Sequence, residues 1–363
     1  MFNEEDLREL VAFEGKDSPV VSLYLDTDLT RQSKEKCKLT LWELFRRLET
    51  EVPQADRRRF EYFLDFEYDW QAKGIAAFSC QARGFWRVHP LSVLLANTAF
   101  VGDRPNIKPL ATLLDEYKPY AVALVGRDRA RFFVIRLGEI VEYEMMADEE
   151  LPSRHKQGGW AAQRYQRHAD ARALHNFREA AELVVRFYQA NGCERLILSG
   201  TEQNVALFRE MLPKSVRKLV VGEMSLGMGA STSEVLRRSK DIFLAVERER
   251  EAELIEAMMS AAAVGGRGVT GLADSLAVAQ EGRVQTLVVA PGYAAPAYRC
   301  SGCAYLTVQA LDKCPFCEGE FEEIPDAVNL IVRRVVEDGG RVEVVPHSEA
   351  LREAGEIGGL LRY

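Results

Sequence analysis

The sequence predicts an α/β protein made of three α/β domains. Its 363 residues exceed the roughly 100–200 residues of one typical domain. Apolar runs typical of strands alternate with segments of helical spacing along the whole chain. The hydrophobic content of 47% is that of a globular protein rather than a disordered one. We divide the chain into an N-terminal recognition domain at 1–110, a middle domain at 111–226 and a C-terminal domain at 227–363.

The N-terminal domain is predicted to contain a short sheet and a helix of mixed charge. Because prolines 105 and 109 interrupt regular structure, residues 103–109 are expected to form the linker to the middle domain. The predicted elements are strands at 20–25, 74–80 and 85–88, the last two joined by a turn at 81–84, and a helix at 33–50.

The middle domain is predicted to be a mixed sheet with a long helix, and the C-terminal domain to alternate helices and strands. Apolar residues recur at helical spacing up to Ala190, and Asn191 and Gly192 end that pattern. The predicted middle elements are a meander at 121–125, 132–135 and 140–145, a helix at 161–190, and a βαβ unit at 196–221. The predicted C-terminal elements are helices at 244–262 and 328–335, another helix after the glycines at 265–271, and strands at 286–289 and 342–345.

Composition and charge restrict the possible functions. The net charge of −8 argues against general coating of nucleic acid, so an RNA partner requires a local basic segment. No apolar stretch approaches the roughly 18 residues of a membrane span, and the N-terminus lacks the pattern of a signal peptide. We therefore expect a cytosolic protein without a membrane partner, in which thiols stay reduced. The glycines at 265–271 lack a following Gly-Lys-Ser/Thr, so they do not form a P-loop.

Four of the seven cysteines form two CxxC pairs separated by ten residues, within a predicted ribbon at 298–323. This spacing can place four thiolates around one tetrahedral Zn²⁺ ion, and four protein ligands leave no open position for catalysis. We therefore predict a structural zinc ribbon; a ribbon without metal and a redox pair are the alternatives. Cys37, Cys80 and Cys193 are predicted to be buried thiols. The predicted metal ligands are Cys300, Cys303, Cys314 and Cys317.

A basic segment of the middle domain contains two adjacent glycines. Residues 151–178 carry six Lys/Arg and one acidic residue, which makes them a candidate phosphate or RNA surface. Gly158 and Gly159 allow close approach of the backbone to a ligand, and the amides that follow belong to a helix start that favours negative charge. Such a tip could stabilise an oxyanion. A solvated loop before a basic helix is the alternative.

This segment resembles a loop of the archaeal and eukaryotic class-1 peptide-chain release factors and their Pelota-like relatives, and it is most similar to their bacterial branch. The family has Gly-Gly-Gln-Ser-Ala-x-Arg-Phe-x-Arg where this chain has Gly-Gly-Trp-Ala-Ala-Gln-Arg-Tyr-Gln-Arg at 158–167. The motif His-Asn-Phe at 175–177, the segment Val-Thr-Gly-Leu at 269–272 and the ending Gly-Gly-Leu-Leu-Arg-Tyr at 358–363 also follow the family. The resemblance covers about 115–363.

The resemblance implies a factor that inserts its Gly-Gly loop into the ribosomal peptidyl-transferase centre and promotes hydrolysis of peptidyl-tRNA. Its partners would be ribosomal RNA and peptidyl-tRNA, with a translational GTPase as a candidate partner, and it would be a monomer. Family members can carry a zinc ribbon inserted in the C-terminal domain. The implied catalytic residues are Gly158, Gly159 and Trp160. Gln163, one turn later, is a further catalytic candidate because it could supply an amide, although it does not occupy the family position. The implied RNA-binding residues are Arg154, Lys156, Arg164 and Arg167.

Two departures from the family keep alternatives open. Trp160 replaces the family glutamine, which preserves a backbone N–H but removes the side-chain amide; its indole could stack on a base or pack back onto the domain. The segment Asn-Ile-Lys at 106–108 is similar to a codon-reading element, but Pro109 follows it, and we interpret it as the linker. This favours ribosome rescue or tRNA surveillance over stop-codon decoding. A ribosome- or tRNA-binding factor without hydrolysis and a nuclease at the tRNA acceptor end remain alternative hypotheses.

Overall fold

The computed structural model describes residues 2–48, 50–146, 160–346 and 348–363, with the backbone alone over 142–146 and 160–170. It contains two compact units, Met1–Glu116 together with Glu251–Tyr363, and Tyr117–Arg250. The predicted α/β class is confirmed, because four sheets alternate with helices. Division into three separate domains stays a prediction. None of the described helices is long and apolar enough to cross a membrane.

The N-terminal part of the first unit is a four-stranded antiparallel sheet covered by helices. Its strand order is β3-β2-β1-β4, so the first strand lies in the centre, and its apolar side chains pack against α2 and α3. A π-helical turn at Phe63–Glu67 follows α3. The helices are α1 Glu4–Ala12, α2 Lys34–Arg47, α3 Gln54–Tyr62 and α4 Lys108–Glu116; the strands are β1 Val20–Asp26, β2 Gly74–Cys80, β3 Phe85–Leu91 and β4 Thr98–Gly102.

The second unit is a mixed five-stranded sheet with helices on both faces. The meander β7-β6-β5 is antiparallel, whereas β8 and β9 continue the sheet in parallel from β5, as the predicted βαβ unit requires. Its elements are β5 Tyr120–Val125, β6 Arg129–Arg136, β7 Glu139–Met146, α5 Trp160–Ala190, β8 Leu196–Gly200, α6 Glu202–Met211, α7 Lys214–Arg217 and β9 Val220–Met224; α8 Thr232–Ala263 starts here and continues into the first unit.

The C-terminal part of the first unit contains a second four-stranded sheet and a small three-stranded sheet. The larger sheet has the order β10-β16-β11-β15, and the smaller one has the order β13-β12-β14. The elements are β10 Gly268–Thr270, α9 Leu272–Gln280, β11 Val284–Val289, β12 Ala297–Cys300, β13 Leu306–Thr307, β14 Phe321–Ile324, α10 Ala327–Glu337, β15 Arg341–Val344, α11 Glu349–Glu353 and β16 Ile357–Leu361.

The segment predicted as a linker at 103–109 is packed instead. Asn106 and Ile107 are buried, and Asn106 N–H donates to Ser22 Oγ at 2.9 Å. Lys108 begins α4, and its ammonium donates to the main-chain carbonyl of Tyr293 and pairs with Asp326 at 3.1 Å. The linker interpretation was therefore wrong, because this segment is buried and bonded to residues distant in sequence.

Glycine is required at Gly358 in β16, where a Cβ would lie 2.6 Å from Val269 O and 2.7 Å from Met258 Sδ. At Gly359 the nearest atom, Thr286 O, would be 3.2 Å away.

Gly358→Ala should lower the free energy of unfolding by about 1–3 kcal/mol, as expected for overpacking. Gly359→Ala removes the same backbone freedom from the unfolded chain and should cost clearly less. Urea unfolding of both variants tests this; equal losses would contradict it.

Candidate functional site

The four cysteines of the two CxxC pairs come together at one end of the small sheet β13-β12-β14. Their sulfur atoms all lie within 4.8 Å of one another. The sulfurs of Cys300 and Cys317 are 3.4 Å apart, and those of Cys303 and Cys314 are 3.5 Å apart. Tetrahedral zinc with Zn–S bonds near 2.3 Å separates its sulfurs by about 3.8 Å. The four thiols could therefore hold one metal ion.

Each CxxC pair forms the same tight turn, with one residue in the left-handed region. Ala304 N–H donates to Cys300 O at 3.0 Å, and Glu318 N–H donates to Cys314 O at 2.9 Å. Ala304 has φ +59° and Glu318 has φ +57°. These are the residues directly after the second cysteine of each pair. Non-glycine residues rarely adopt this conformation, and such residues cluster at functional sites. Both turns contain one at the same position, so the two CxxC pairs share one local geometry.

Glycines and main-chain amides surround the sulfur atoms. A Cβ on Gly302 would lie 3.0 Å from Cys317 Sγ, and one on Gly319 would lie 2.9 Å from Cys300 Sγ. Gly302 N–H donates to Cys300 Sγ at 3.4 Å. The main-chain N–H of Cys303 favours the thiolate most, and together these contacts lower the pKa of the Cys300 thiol to about 6. The main-chain amides of Tyr305 and Gly319 favour the thiolates of Cys303 and Cys317, but desolvation and hydrogen bonds among the four thiols outweigh them and raise both pKa values. Four sulfur donors that meet at one point are a ligand set that fits zinc.

The other three cysteines are buried far from this cluster in sequence, as predicted. Cys37, Cys80 and Cys193 are at most 4% exposed. Burial raises the pKa of Cys37 and of Cys193 to about 11. Such thiols stay protonated at neutral pH, so these three cysteines behave as core residues.

The second candidate site is the start of α5 in the second unit. Arg154, Lys156, Gly158 and Gly159 lie outside the described residues, so their predicted roles stay predictions. The helix begins at Trp160 and continues for 31 residues, about 46 Å. In general, the first four amides of a helix lack intrahelical acceptors, and they give the start of the helix a partial positive charge.

The C-terminal half of α5 fixes this helix to its sheet. Phe177 is 2% exposed and contacts the core that also contains Val184 and Phe208. The buried side-chain amide of Asn176 donates to Arg127 O at 2.9 Å. His175 is exposed and pairs with Glu179. Two residues of the His-Asn-Phe motif are thus explained by packing.

Two of the six basic side chains predicted for this segment lie in the part of the helix whose side chains are described. Arg172 and Arg178 are exposed on α5. Trp160, Gln163, Arg164 and Arg167 lie in the first two turns of the helix, in the part described by backbone alone. Their catalytic and RNA-binding roles stay predictions.

Comparison with known proteins finds similarity to release factors. Residues 105–243 match the family model described as bacterial archaeo-eukaryotic release factor family 10. Peptide chain release factor subunit 1 of Archaeoglobus fulgidus is 25% identical over 282 residues, which are 71% of this chain and 68% of that protein. Over these residues the chain is similar to the archaeal and eukaryotic peptide chain release factors.

Other similar proteins match a smaller part of this chain or match it with lower identity. The eukaryotic peptide chain release factor subunit 1 of Stylonychia lemnae is 23% identical over 198 residues, which are 52% of this chain and 44% of that protein. The chain thus spans less than half the length of this ciliate relative. A crystal structure of the archaeal translation termination factor aRF1 aligns over 100% of this chain and 99% of that one, at 15% identity and a TM-score of 0.29. Yeast Dom34, a translation termination-like factor, aligns over 97% and 96%, at 10% identity and a TM-score of 0.45.

Several residues that organise these sites carry no strong sequence signal. Gly302 and Gly319 each follow a cysteine closely, and this spacing could have indicated their role. The salt bridges of Arg299 with Asp103, at 3.1 Å, and with Glu322 join parts distant in sequence. No periodicity could have identified those partners, because the tertiary fold brings them together.

Proposed function

We propose that this protein is a ribosome-associated release or rescue factor that promotes hydrolysis of the peptidyl-tRNA ester. The observation that carries the proposal is the long helix Trp160–Ala190, which directly follows Gly158 and Gly159 in the sequence. The opposite half of that helix is fixed in the core by Phe177 and Asn176. A firmly held helix with a glycine tip can be inserted into a narrow site while its N-terminal charge stays oriented.

The proposed reaction is attack of water on the ester carbonyl that joins the nascent peptide to tRNA. A C–O bond to water forms, the ester C–O bond breaks, and the ribose hydroxyl leaves with a proton. Gly158 and Gly159 would let the loop approach the ester, and the N–H of Trp160 would donate to the carbonyl oxygen as negative charge develops there. The Gln163 amide, one turn later, would orient the water. The Trp160 indole would stack on the terminal adenine.

The basic segment would determine the position of the loop on the ribosome. Arg154, Lys156, Arg164 and Arg167 would contact phosphates of ribosomal RNA or tRNA, since phosphate contacts mainly fix orientation. Exposed Arg172 continues this surface along α5. Binding should weaken with salt, and each lost phosphate contact should reduce the logarithmic salt slope by about one.

The proposed metal is Zn²⁺, bound by Cys300, Cys303, Cys314 and Cys317. With four protein ligands it would stabilise the ribbon and take no part in hydrolysis. We further propose that the protein acts in the cytosol as a monomer on stalled ribosomes, with a translational GTPase as its delivery partner. These proposals follow from the resemblance to the superfamily.

The test is a peptide-release assay on ribosomes carrying labelled peptidyl-tRNA. The double variant Gly158→Ala/Gly159→Ala should reduce the release rate by roughly 100-fold, because small misplacements of a reacting group are costly. Gly227→Ala/Gly229→Ala is the matched control: both glycines lie in the same unit, and an added Cβ at either would meet nothing within 4 Å. Normal release by the Gly158/Gly159 variant would disprove the proposed role of the loop.

Two alternative functions give different results in the same assay. Tight ribosome binding without release would support a non-hydrolytic factor, whereas shortened tRNA would support a nuclease. Arg164→Glu/Arg167→Glu should weaken ribosome binding at least about tenfold, while Arg186→Glu, exposed near the far end of α5, should not. Unchanged binding in the Arg164/Arg167 variant would remove these residues from the interface.

A further inference from the structure

A cavity of about 710 Å³ lies in the first unit between the ribbon, α10 and the segment around Asp103. This volume is in the usual range for small-molecule sites. Its lining includes four arginines and three acidic residues, and also an aromatic pair. No part of it belongs to α5, so an activity at this cavity is independent of the proposed hydrolysis.

Arg333 of α10 lines this cavity as a buried cation without an acidic partner. It is 4% exposed, its Nη1 donates to Val11 O at 3.0 Å, and its Nη2 donates to Pro105 O. Its Nε has no hydrogen-bond partner, and among the described residues no carboxylate lies within salt-bridge distance. Burial lowers its pKa to about 10, so it remains charged at neutral pH. The carboxylates of Glu337, Asp103 and Glu14 favour the charged form, but none of the three lies within salt-bridge distance of Arg333. A buried charge without a directly paired carboxylate is costly, and a bound anion would reduce that cost.

The three other arginines of the lining are held by exchangeable salt bridges. Arg104 pairs with Glu14 and Glu337, and Arg334 also pairs with Glu337. Arg299 pairs with Asp103. Their side chains are 32–49% exposed, and salt bridges of this kind contribute little to stability. A phosphate could therefore displace a carboxylate from one of these arginines at small cost, and guanidinium groups match its geometry.

Aromatic and aliphatic side chains form the apolar part of the cavity lining. Tyr305 and Phe316 have ring centroids 4.8 Å apart at 72°, and both line the cavity. Phe316 is 72% exposed although it is a large apolar residue. Leu276 and Ile331 add a buried apolar wall. An exposed aromatic face beside arginines suits a nucleobase, which stacks on aromatic rings of any kind.

We propose that this cavity binds a nucleotide, with the base against Tyr305 and Phe316 and the phosphate among Arg333, Arg299 and Arg104. A free nucleotide and the terminal nucleotide of an RNA strand present the same ring and phosphate. The shared chemistry defines the site, and the experiment separates the two sources.

Isothermal titration calorimetry of the 363-residue protein, purified in the presence of zinc, tests the proposal with AMP, adenosine, ribose 5-phosphate and the RNA hexamer A6. AMP should bind at one site with a Kd below about 1 mM. Adenosine and ribose 5-phosphate should each bind at least about tenfold more weakly than AMP, because adenosine lacks the phosphate and ribose 5-phosphate lacks the base. If the hexamer binds more tightly than AMP, and if Phe316→Ala removes that binding, the site is assigned to an RNA end. Otherwise the ligand is the free nucleotide.

Matched variants connect binding to the cavity. Phe316→Ala should weaken AMP binding about tenfold, and Phe66→Ala, which removes a phenylalanine that is 74% exposed elsewhere in the same unit, should not. Arg333→Met should weaken it at least about tenfold. Arg131→Met is its control, because Arg131 is also buried and donates to two main-chain carbonyls.

If a thermal unfolding experiment shows that the Arg333→Met variant is not folded, Arg299→Gln is used instead and should also weaken AMP binding. Three outcomes would overturn the proposal. They are no saturable binding of AMP or the hexamer up to about 10 mM, equal affinity for adenosine and AMP, and unchanged AMP binding in Phe316→Ala together with the arginine variant.

Discussion

Replacing Cys314 by serine should abolish stoichiometric zinc binding. Cys314 is 2% exposed, and its sulfur lies 3.5 Å from that of Cys303. A serine hydroxyl is a poor zinc ligand, and structural zinc sites contribute about 10–16 kcal/mol of apparent binding free energy at neutral pH. Purified wild-type protein should contain about one zinc ion per chain, and the variant should contain less than about one tenth of that after dialysis. Metal analysis by mass spectrometry measures this difference.

The ribbon should also lose its structure in this variant. Gln280 of α9 donates to Leu306 O at 3.0 Å and accepts from Leu306 N–H at 2.7 Å, so an unfolded ribbon removes contacts from the first unit. We expect the melting temperature of that unit to fall by roughly 5–10 °C.

Cys193→Ser, which changes a buried thiol in the second unit, is the control and should retain one zinc ion. Freshly purified wild-type protein without zinc, or a Cys314→Ser variant that retains it, would refute the metal assignment.

Replacing Phe177 by alanine should lower the free energy of unfolding of the second unit by about 3–5 kcal/mol. The ring is 2% exposed and lies 6.4 Å from the ring of Phe208, between α5 and α6. Its removal leaves a cavity that two helices and a sheet cannot close without moving. Urea unfolding followed by circular dichroism, with the transitions of the two units fitted separately, measures the loss.

Neighbouring positions supply matched controls for this substitution. His175→Ala changes an exposed side chain and should alter stability by less than about 0.5 kcal/mol. Asn176→Ala should cost an intermediate amount, about 1–3 kcal/mol, because it breaks a buried hydrogen bond to Arg127 O. Equal effects at all three positions would mean that this part of α5 is not packed as described. An order in which His175→Ala costs most would also contradict the structure.

The sequence predicted the elements whose signals are local. The meander, α5 and the βαβ unit were recognisable because apolar residues recur with the period of a strand or a helix. The cysteine cluster was predictable because two CxxC pairs bring their ligands together through short turns. Both turns have the same local geometry, because the residue after the second cysteine, Ala304 or Glu318, adopts the left-handed conformation in each.

Other features depended on partners far away in sequence. Strand β16 was not predicted, because Gly358 and Gly359 weaken the sequence signal of a strand. The close approach of Val269 explains why the strand contains glycine there. The segment around Lys108 was interpreted as a linker for a similar reason, since its partners Tyr293 and Asp326 lie about 200 residues later.

The sequence alone determined the α/β class, the long helix after two glycines, the cysteine cluster and the resemblance to release factors. All of these depend on spacing over a few residues, which the chain carries wherever it folds. Only the tertiary structure decided that the first and last parts form one unit, joined by Arg333 and Arg299, and that a cavity lies where they meet. Burial of a charge and contact between distant segments are properties of the packed chain, and no local pattern specifies them.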